Sequence, residues 1–113
     1  MLDWNAYRQQ LAHRMGDLGR LSPETVRGYR GLSQAADKTN VLGAKTRELI
    51  ALAVAVTTRC DGCIAVHVDA ARKHGATREE IAEALGVAVA LNAGAALVSS
   101  SRVMDALSEA DAA

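Results

Sequence analysis

The chain has few aromatic residues, one proline and no net charge, and each shortage narrows the choice of fold and function. Phenylalanine is absent and aromatic residues make up 3% of the sequence, so a core must be built from alanine, valine, leucine and isoleucine. Such a core brings backbones close together and is typical of helices. One proline, nine glycines and 23% charged residues argue against a disordered chain. The 13 basic and 13 acidic residues cancel, which leaves no overall positive field for a nucleic acid.

The length leaves room for one domain, and we expect residues 1–113 to form it. Half of the residues are hydrophobic, whereas a domain of this size leaves roughly a third of its unfolded surface exposed. This excess of apolar residues indicates a homo-oligomer. The first five residues, 1–5, lack the basic and apolar regions of a signal peptide, so we expect a cytoplasmic protein.

Apolar residues recur at helical spacing along most of the chain and predict an all-α bundle of about five to six helices. A first helix is predicted over residues 3–19, and Ser22-Pro23 is a start signal for a second. A polar linker over 37–43 follows. The run over 44–56 is almost wholly apolar at its end and predicts a buried central helix. The remaining helices are predicted from Cys60 to Lys73 and from a capping box at Thr77 onwards.

An uncharged stretch over residues 84–101 is long enough to be taken for a membrane span. It contains Asn92, two glycines and three serines, and it lacks flanking basic or aromatic belts. We therefore expect no membrane contact and interpret the stretch as a helix buried in the protein or in an oligomer. The segment 92–94, Asn-Ala-Gly, is predicted to break it into two helices.

The residues most suited to chemistry are two cysteines and a histidine on one predicted helix. Cys60, Cys63 and His67 stand at positions i, i+3 and i+7, which share one face of a helix. A helix N-terminus favours a thiolate, and an imidazole one turn away can accept the thiol proton. Arg59 would favour the thiolate and Asp61 would oppose it, or both would be solvated surface residues without a role in the site. In a reducing compartment such a pair is expected to bind a metal or to cycle between thiol and disulfide.

A carboxylate joins this group if residues 57–59 form the tight turn of a helical hairpin. Reflection about position 58 then places Glu48 opposite position 68, beside His67. An acid beside an imidazole orients the ring and raises its basicity, so that Glu48, His67 and Cys63 could relay a proton away from sulfur. Cys60 could then resolve an oxidised Cys63 as a disulfide.

The spacing of Glu48, Cys60, Cys63 and His67, with the flanking segments 45–54 and 67–71, resembles the AhpD-like core of the carboxymuconolactone decarboxylase superfamily. The resemblance covers about residues 40–107. It implies an all-α fold with helical exchange between subunits, assembled as a dimer, trimer or hexamer.

The resemblance also implies a peroxiredoxin-like oxidoreductase of the alkylhydroperoxidase type, an antioxidant peroxidase. Cys63 would attack an organic hydroperoxide or another small oxidant and become a sulfenic acid, and Cys60 would condense with it. Glu48 and His67 would deprotonate Cys63, directly or through a water. A dithiol or a lipoylated protein would reduce the disulfide, and no cofactor is expected.

Two other functions remain open at this point. Cys60, Cys63, His67 and Glu48, with His74 as a further candidate, are ligand types that zinc accepts, which would make the protein a metal- or redox-sensing oligomer without turnover. A decarboxylase acting on a small lactone would use His67 and Glu48 without sulfur.

Overall fold

A computed structural model describes all of residues 1–113 and contains five helices and no strand. The prediction of an all-α fold is therefore confirmed. The number of helices is the lower of the five to six predicted. In chain order the helices are α1 (Trp4–Leu21), α2 (Pro23–Thr39), α3 (Ala44–Thr58), α4 (Asp61–Lys73) and α5 (Arg78–Ala112).

Short connections separate the first three helices. The Asp3 carboxylate accepts a hydrogen bond from the Ala6 N–H and caps α1. Ser22 alone separates α1 from α2, because Pro23 starts the next helix at once. The predicted polar linker is shorter than expected, since α2 continues to Thr39 and only residues 40–43 are non-helical.

Each helix packs against one or two others, in the spatial order α2, α1, α4, α3 and α5. α3 lies against both α4 and α5, whereas α1 lies against α4 on one side and α2 on the other. The predicted central position of α3 is therefore correct. Its burial is partial, because Leu52 and Ala55 are buried while Ile50 and Val54 are about half exposed.

The prediction that residues 92–94 break the last helix is wrong. α5 is continuous over 35 residues. The Asn92 side chain donates to the Ala88 carbonyl oxygen, one turn back in the same helix, and to the Thr57 hydroxyl at the end of α3. A Cβ at Gly94 would meet nothing within 4 Å, and a helical glycine costs only about 1 kcal/mol relative to alanine. The alanine-rich sequence around it sustains the helix.

The start of α5 is tied to α3 by charge. Thr77 and Glu80 form a capping box, and the Glu80 carboxylate lies 2.9 Å from the Lys45 ammonium of α3. The hydrogen bond from Lys45, followed by those from Thr77, holds the pKa of Glu80 below its ordinary value of 4.5. This ion pair joins α5 to α3 at the end where both helices begin.

The folded chain leaves much of its apolar surface exposed. Only five of the 113 residues are buried, and none of them is larger than leucine. The exposed surface is 8770 Å², whereas a compact protein of this mass exposes about 6,000 Å². The radius of gyration is 18.8 Å, against about 13 Å for a compact chain of this length. α5 is also long and apolar enough, by length and composition alone, to cross a membrane.

Candidate active site

Glu48 and His67 form the centre of the site. Glu48 lies in α3 and His67 in α4, and the imidazole Nδ1–H donates to the Glu48 Oε2 atom at 2.6 Å. The two side chains are 20% and 31% exposed, so both are shielded yet reachable from solvent. The predicted contact between them is confirmed, one residue away from the position that simple reflection gave.

A tight turn brings the two helices together. Arg59 ends α3 with a left-handed backbone, φ 56°, and the Cys60 N–H donates to the Ala55 carbonyl oxygen at 3.0 Å. The chain therefore reverses within Arg59 and Cys60, and α4 returns antiparallel to α3. Arg59 itself is exposed at the turn.

The two cysteines lie at the N-terminal end of α4 and are joined as a disulfide. Their Cα atoms are 5.2 Å apart. Cys60 is the N-cap residue, just outside the helix, instead of its first residue as predicted, and its sulfur accepts a hydrogen bond from the Cys63 N–H at 3.1 Å. Both cysteines are half-buried, and Cys63 lies one helical turn from His67. The site therefore combines a sulfur pair at a helix N-terminus with an imidazole on the same face.

Helix α1 covers the turn between the cysteines, which sequence reasoning did not detect. A Cβ at Gly62 would lie 2.9 Å from a methyl group of Leu11 and 3.8 Å from the Tyr7 hydroxyl oxygen. The absence of a side chain at Gly62 therefore lets α1 approach the disulfide closely. Asp61, the residue before Gly62, is exposed to solvent and is not covered by α1 in this way.

A cavity of about 340 Å³ lies beside the Glu48–His67 pair. Helix α2 forms one wall and α3 the other, with His67 contributed by α4. The residues that line it are Ser33, Ala36, Asp37, Leu42, Arg47, Glu48, Ile50, Ala51 and His67. The cysteines are not among them. The cavity is large enough for a small organic molecule in contact with the imidazole and the carboxylate.

Arg47 attaches the wall formed by α2 to α3. Its guanidinium donates to the Asn40 side-chain oxygen at 2.7 Å and lies 3.1 Å from the Asp37 carboxylate. Asn40 ends α2 with a left-handed backbone, so Arg47 holds the C-terminal end of that helix. The sequence offered no signal for this role, because the pairing joins different elements.

We predict that Arg47→Met loosens this wall. The loss of these solvent-exposed contacts, worth about 0.5–1.5 kcal/mol together, should speed amide hydrogen exchange over residues 33–40 by about two- to tenfold. Exchange in α4 and α5 should stay unchanged. Arg30→Met is the matched control, because Arg30 lies on the exposed surface of α2 and makes no side-chain hydrogen bond or ion pair. Equal effects of the two substitutions would contradict the role of Arg47.

The predicted metal ligands are not assembled as a set. With Cys60 and Cys63 joined as a disulfide, no group of three or more His, Cys, Asp or Glu side chains is placed so that it could hold a metal ion. His74 lies at the C-terminal cap of α4, about two turns beyond His67.

Asp69 of α4 pairs with basic side chains of α4 and α1. A hydrogen bond from Lys73, with the nearby Arg8, holds the pKa of the Asp69 carboxyl below its ordinary value. The Arg8–Asp69 ion pair, at 3.7 Å, joins α1 to α4, and neither residue lines the Glu48–His67 cavity.

Comparison with known proteins identifies the family. The model of the carboxymuconolactone decarboxylase family matches residues 23–106. An uncharacterised protein of Haemophilus influenzae is 50% identical over 106 residues, which is 94% of each chain. "Uncharacterized protein 4 in cox locus" of Paracoccus denitrificans is 37% identical over 88% of this chain and 89% of its own. An uncharacterised protein of Cupriavidus necator is 33% identical over 84% of each. This chain belongs to the carboxymuconolactone decarboxylase family.

Proposed function

We propose that the protein is a dithiol peroxidase that reduces small organic hydroperoxides with Cys63 and Cys60. The observation that carries the proposal is the pairing of two bridged sulfurs at the start of α4 with the His67–Glu48 hydrogen bond on the same side of the helix. Each part by itself could have a purely structural role, whereas together they supply a nucleophile, a second thiol and a base.

The first step activates sulfur. The Glu48 carboxylate accepts the Nδ1–H of His67, which leaves the other ring nitrogen free to accept a proton. His67 takes the proton of Cys63 directly or through a water, and the N-terminus of α4 stabilises the thiolate. The thiolate attacks the terminal oxygen of the hydroperoxide. An S–O bond forms, the O–O bond breaks, and the alkoxide leaves as the alcohol after taking up the proton.

The second step closes the disulfide. The Cys60 thiol attacks the sulfur of the Cys63 sulfenic acid, an S–S bond forms, and hydroxide leaves as water. The dithiol has then lost two electrons and the peroxide has gained them, so no resident cofactor is needed. A dithiol such as a lipoyl group would return the two electrons by thiol–disulfide exchange. The backbone geometry already allows the bridge, since the Cα separation of 5.2 Å lies within the usual disulfide range.

Thiol counting tests this proposal. Reduced protein treated with one equivalent of cumene hydroperoxide should lose both thiols and yield one equivalent of the alcohol. Excess dithiol should restore the thiols and allow repeated turnover. The double variant Cys60→Ser, Cys63→Ser is the control and should yield no alcohol. An unchanged thiol count would overturn the proposal, and a single oxidation without turnover would assign the protein to the sensor class.

One observation favours a second candidate, a decarboxylase-type enzyme acting on a small carboxylated lactone. The cavity beside the Glu48–His67 pair is lined by Arg47 but by neither cysteine. A substrate held there would meet the Glu48–His67 pair and the Arg47 guanidinium, which Asp37 already pairs, without touching sulfur. Full activity towards such a substrate in the double cysteine variant would favour this alternative.

A further inference from the structure

Two adjoining cavities lie over a face of α4 that carries neither the cysteines nor His67. Ile64, Val68 and Arg72 follow one another at intervals of four residues and share this face. One cavity, of about 380 Å³, lies between α4 and the start of α1, and the other, of about 470 Å³, lies between α4 and the start of α5. Val68 and Arg72 line both cavities, so the two form one trough, which we call the α4 trough. Each cavity has the size of a small-molecule site, about 300–1,000 Å³.

The floor of the α4 trough is apolar. Ile64 of α4 and the α5 residues Ile81 and Leu85 are half-buried along it. Val68, in the middle of the trough, is 37% exposed, and Trp4 of α1 forms a half-buried wall at one end. Contact with such side chains removes apolar ligand surface from water, which favours binding. The floor therefore suits a ligand with a hydrocarbon body.

The sides of the α4 trough carry positive charge. Arg8 lines one cavity, Arg78 lines the other, and Arg72 lines both. Arg72 and Arg78 are exposed and make no side-chain hydrogen bond or ion pair, and the cavity that they share contains no acidic residue. Guanidinium groups bind carboxylates and phosphates through paired, charge-assisted hydrogen bonds. These two arginines therefore suit an oxyanion.

The acidic residues near the trough do not neutralise this charge. Asp69 is the one acid in the lining, and its carboxylate lies 2.9 Å from the Lys73 ammonium and 3.7 Å from the Arg8 guanidinium. Of the two acids in the first turn of α5, Glu80 pairs with a lysine of α3 and Glu79 lines neither cavity. An anion in the trough would therefore meet cations that have no partner in the chain.

We propose that the α4 trough binds an amphipathic organic anion, with a carboxylate or phosphate head held by Arg72 and Arg78 and a hydrocarbon tail along the apolar floor. The charge of the trough identifies the head, and its floor identifies the tail. The surface of an anionic bilayer fits less well, because membrane contact needs apolar side chains that project outwards, whereas these line a concave site. The proposal does not depend on the thiol chemistry, because neither the cysteines nor the Glu48–His67 pair lines the trough.

Ligand titrations that separate the head from the tail test the proposal. Trp4 is the only tryptophan and lines the trough, so its fluorescence reports binding, with calorimetry as the second measurement. Octanoate should bind the full chain at least about 30-fold more tightly than acetate, because the alkyl chain leaves water. It should bind about tenfold more tightly than octanol, whose neutral hydroxyl accepts no charge-assisted pair of hydrogen bonds. Comparison of octanoate with octyl phosphate identifies the preferred head.

Arginine variants test the head of the site. Arg72→Met and Arg78→Met should each weaken octanoate binding by about three- to tenfold and leave octanol binding unchanged, a pattern that a general loss of structure would not give. Arg102→Met is the matched control, because Arg102 is an exposed α5 residue that lines neither cavity. It should leave both affinities unchanged.

Several results would overturn the proposal. These are equal wild-type affinities for octanoate and acetate, equal wild-type affinities for octanoate and octanol, and an effect of Arg102→Met as large as that of Arg72→Met. Binding of phosphatidylcholine–phosphatidylglycerol vesicles without binding of octanoate would assign the face to a lipid surface instead. Binding of a glutamate-rich peptide without binding of octanoate would assign it to an acidic protein segment. The comparison of ligands on the wild type decides the matter even if a variant fails to fold.

Discussion

Cys63→Ser should reduce peroxide turnover by at least about 1,000-fold, because it removes the atom that attacks oxygen and the remaining groups cannot replace it. Cys60→Ser should act differently. Its first encounter with hydroperoxide should proceed and leave a sulfenic acid on Cys63 that no second thiol resolves. Dimedone should trap this sulfenic acid, and mass spectrometry should place the adduct on Cys63.

The comparison between the two variants also tests which sulfur attacks. The Cys60 sulfur accepts the backbone hydrogen bond from the Cys63 N–H, which favours a thiolate at Cys60, whereas Cys63 lies closer along the helix to His67. A dimedone adduct on Cys60 in the Cys63→Ser variant, with an inactive Cys60→Ser variant, would reverse the roles. The dithiol reaction would stand, but the relay through His67 would not.

His67→Ala should lower the rate of sulfenic acid formation by about 10²- to 10⁴-fold near neutral pH, which is the range for loss of a general base. The defect should shrink as the pH approaches the ordinary thiol pKa of about 8.5, because hydroxide then deprotonates the thiol without help. Glu48→Gln should cause a smaller loss with the same trend, since the amide can orient the ring without stabilising its charge.

The pH profile separates a base from a structural residue. A merely structural role for His67 would give the same defect at every pH, and that result would contradict the relay. His13→Ala is the control, because His13 lies on the exposed face of α1 near Asp17. It should leave both the rate and its pH dependence unchanged.

The contact between Glu48 and His67 could be predicted because it depends on local structure alone. Both residues belong to one helical hairpin, and helical periodicity together with a short turn places them opposite each other. The family resemblance independently points to Glu48 and His67, together with Cys60 and Cys63. The helical nature of the chain follows in the same way from its alanine-rich apolar periodicity.

The features that escaped prediction all depend on contacts between distant elements. The sequence predicts that Asn92 ends a helix, whereas its side-chain amide donates to the Thr57 hydroxyl of α3 and α5 continues through this position. The attachment of α2 through Arg47 and the approach of Leu11 to Gly62 likewise depend on how separate helices pack. Helical periodicity contains no information about such packing.

The two-residue turn between α3 and α4 restricts which changes of chain length the protein can tolerate. Each residue of a helix rotates the next by about 100°, so one insertion or deletion between Cys63 and His67 would turn the imidazole away from its carboxylate. An insertion in the turn would shift α4 along α3 and would also separate the imidazole from its carboxylate. Related chains that keep the proposed dithiol reaction should therefore vary freely in side chains around the hairpin, while the number of residues between positions 48 and 67 stays constant.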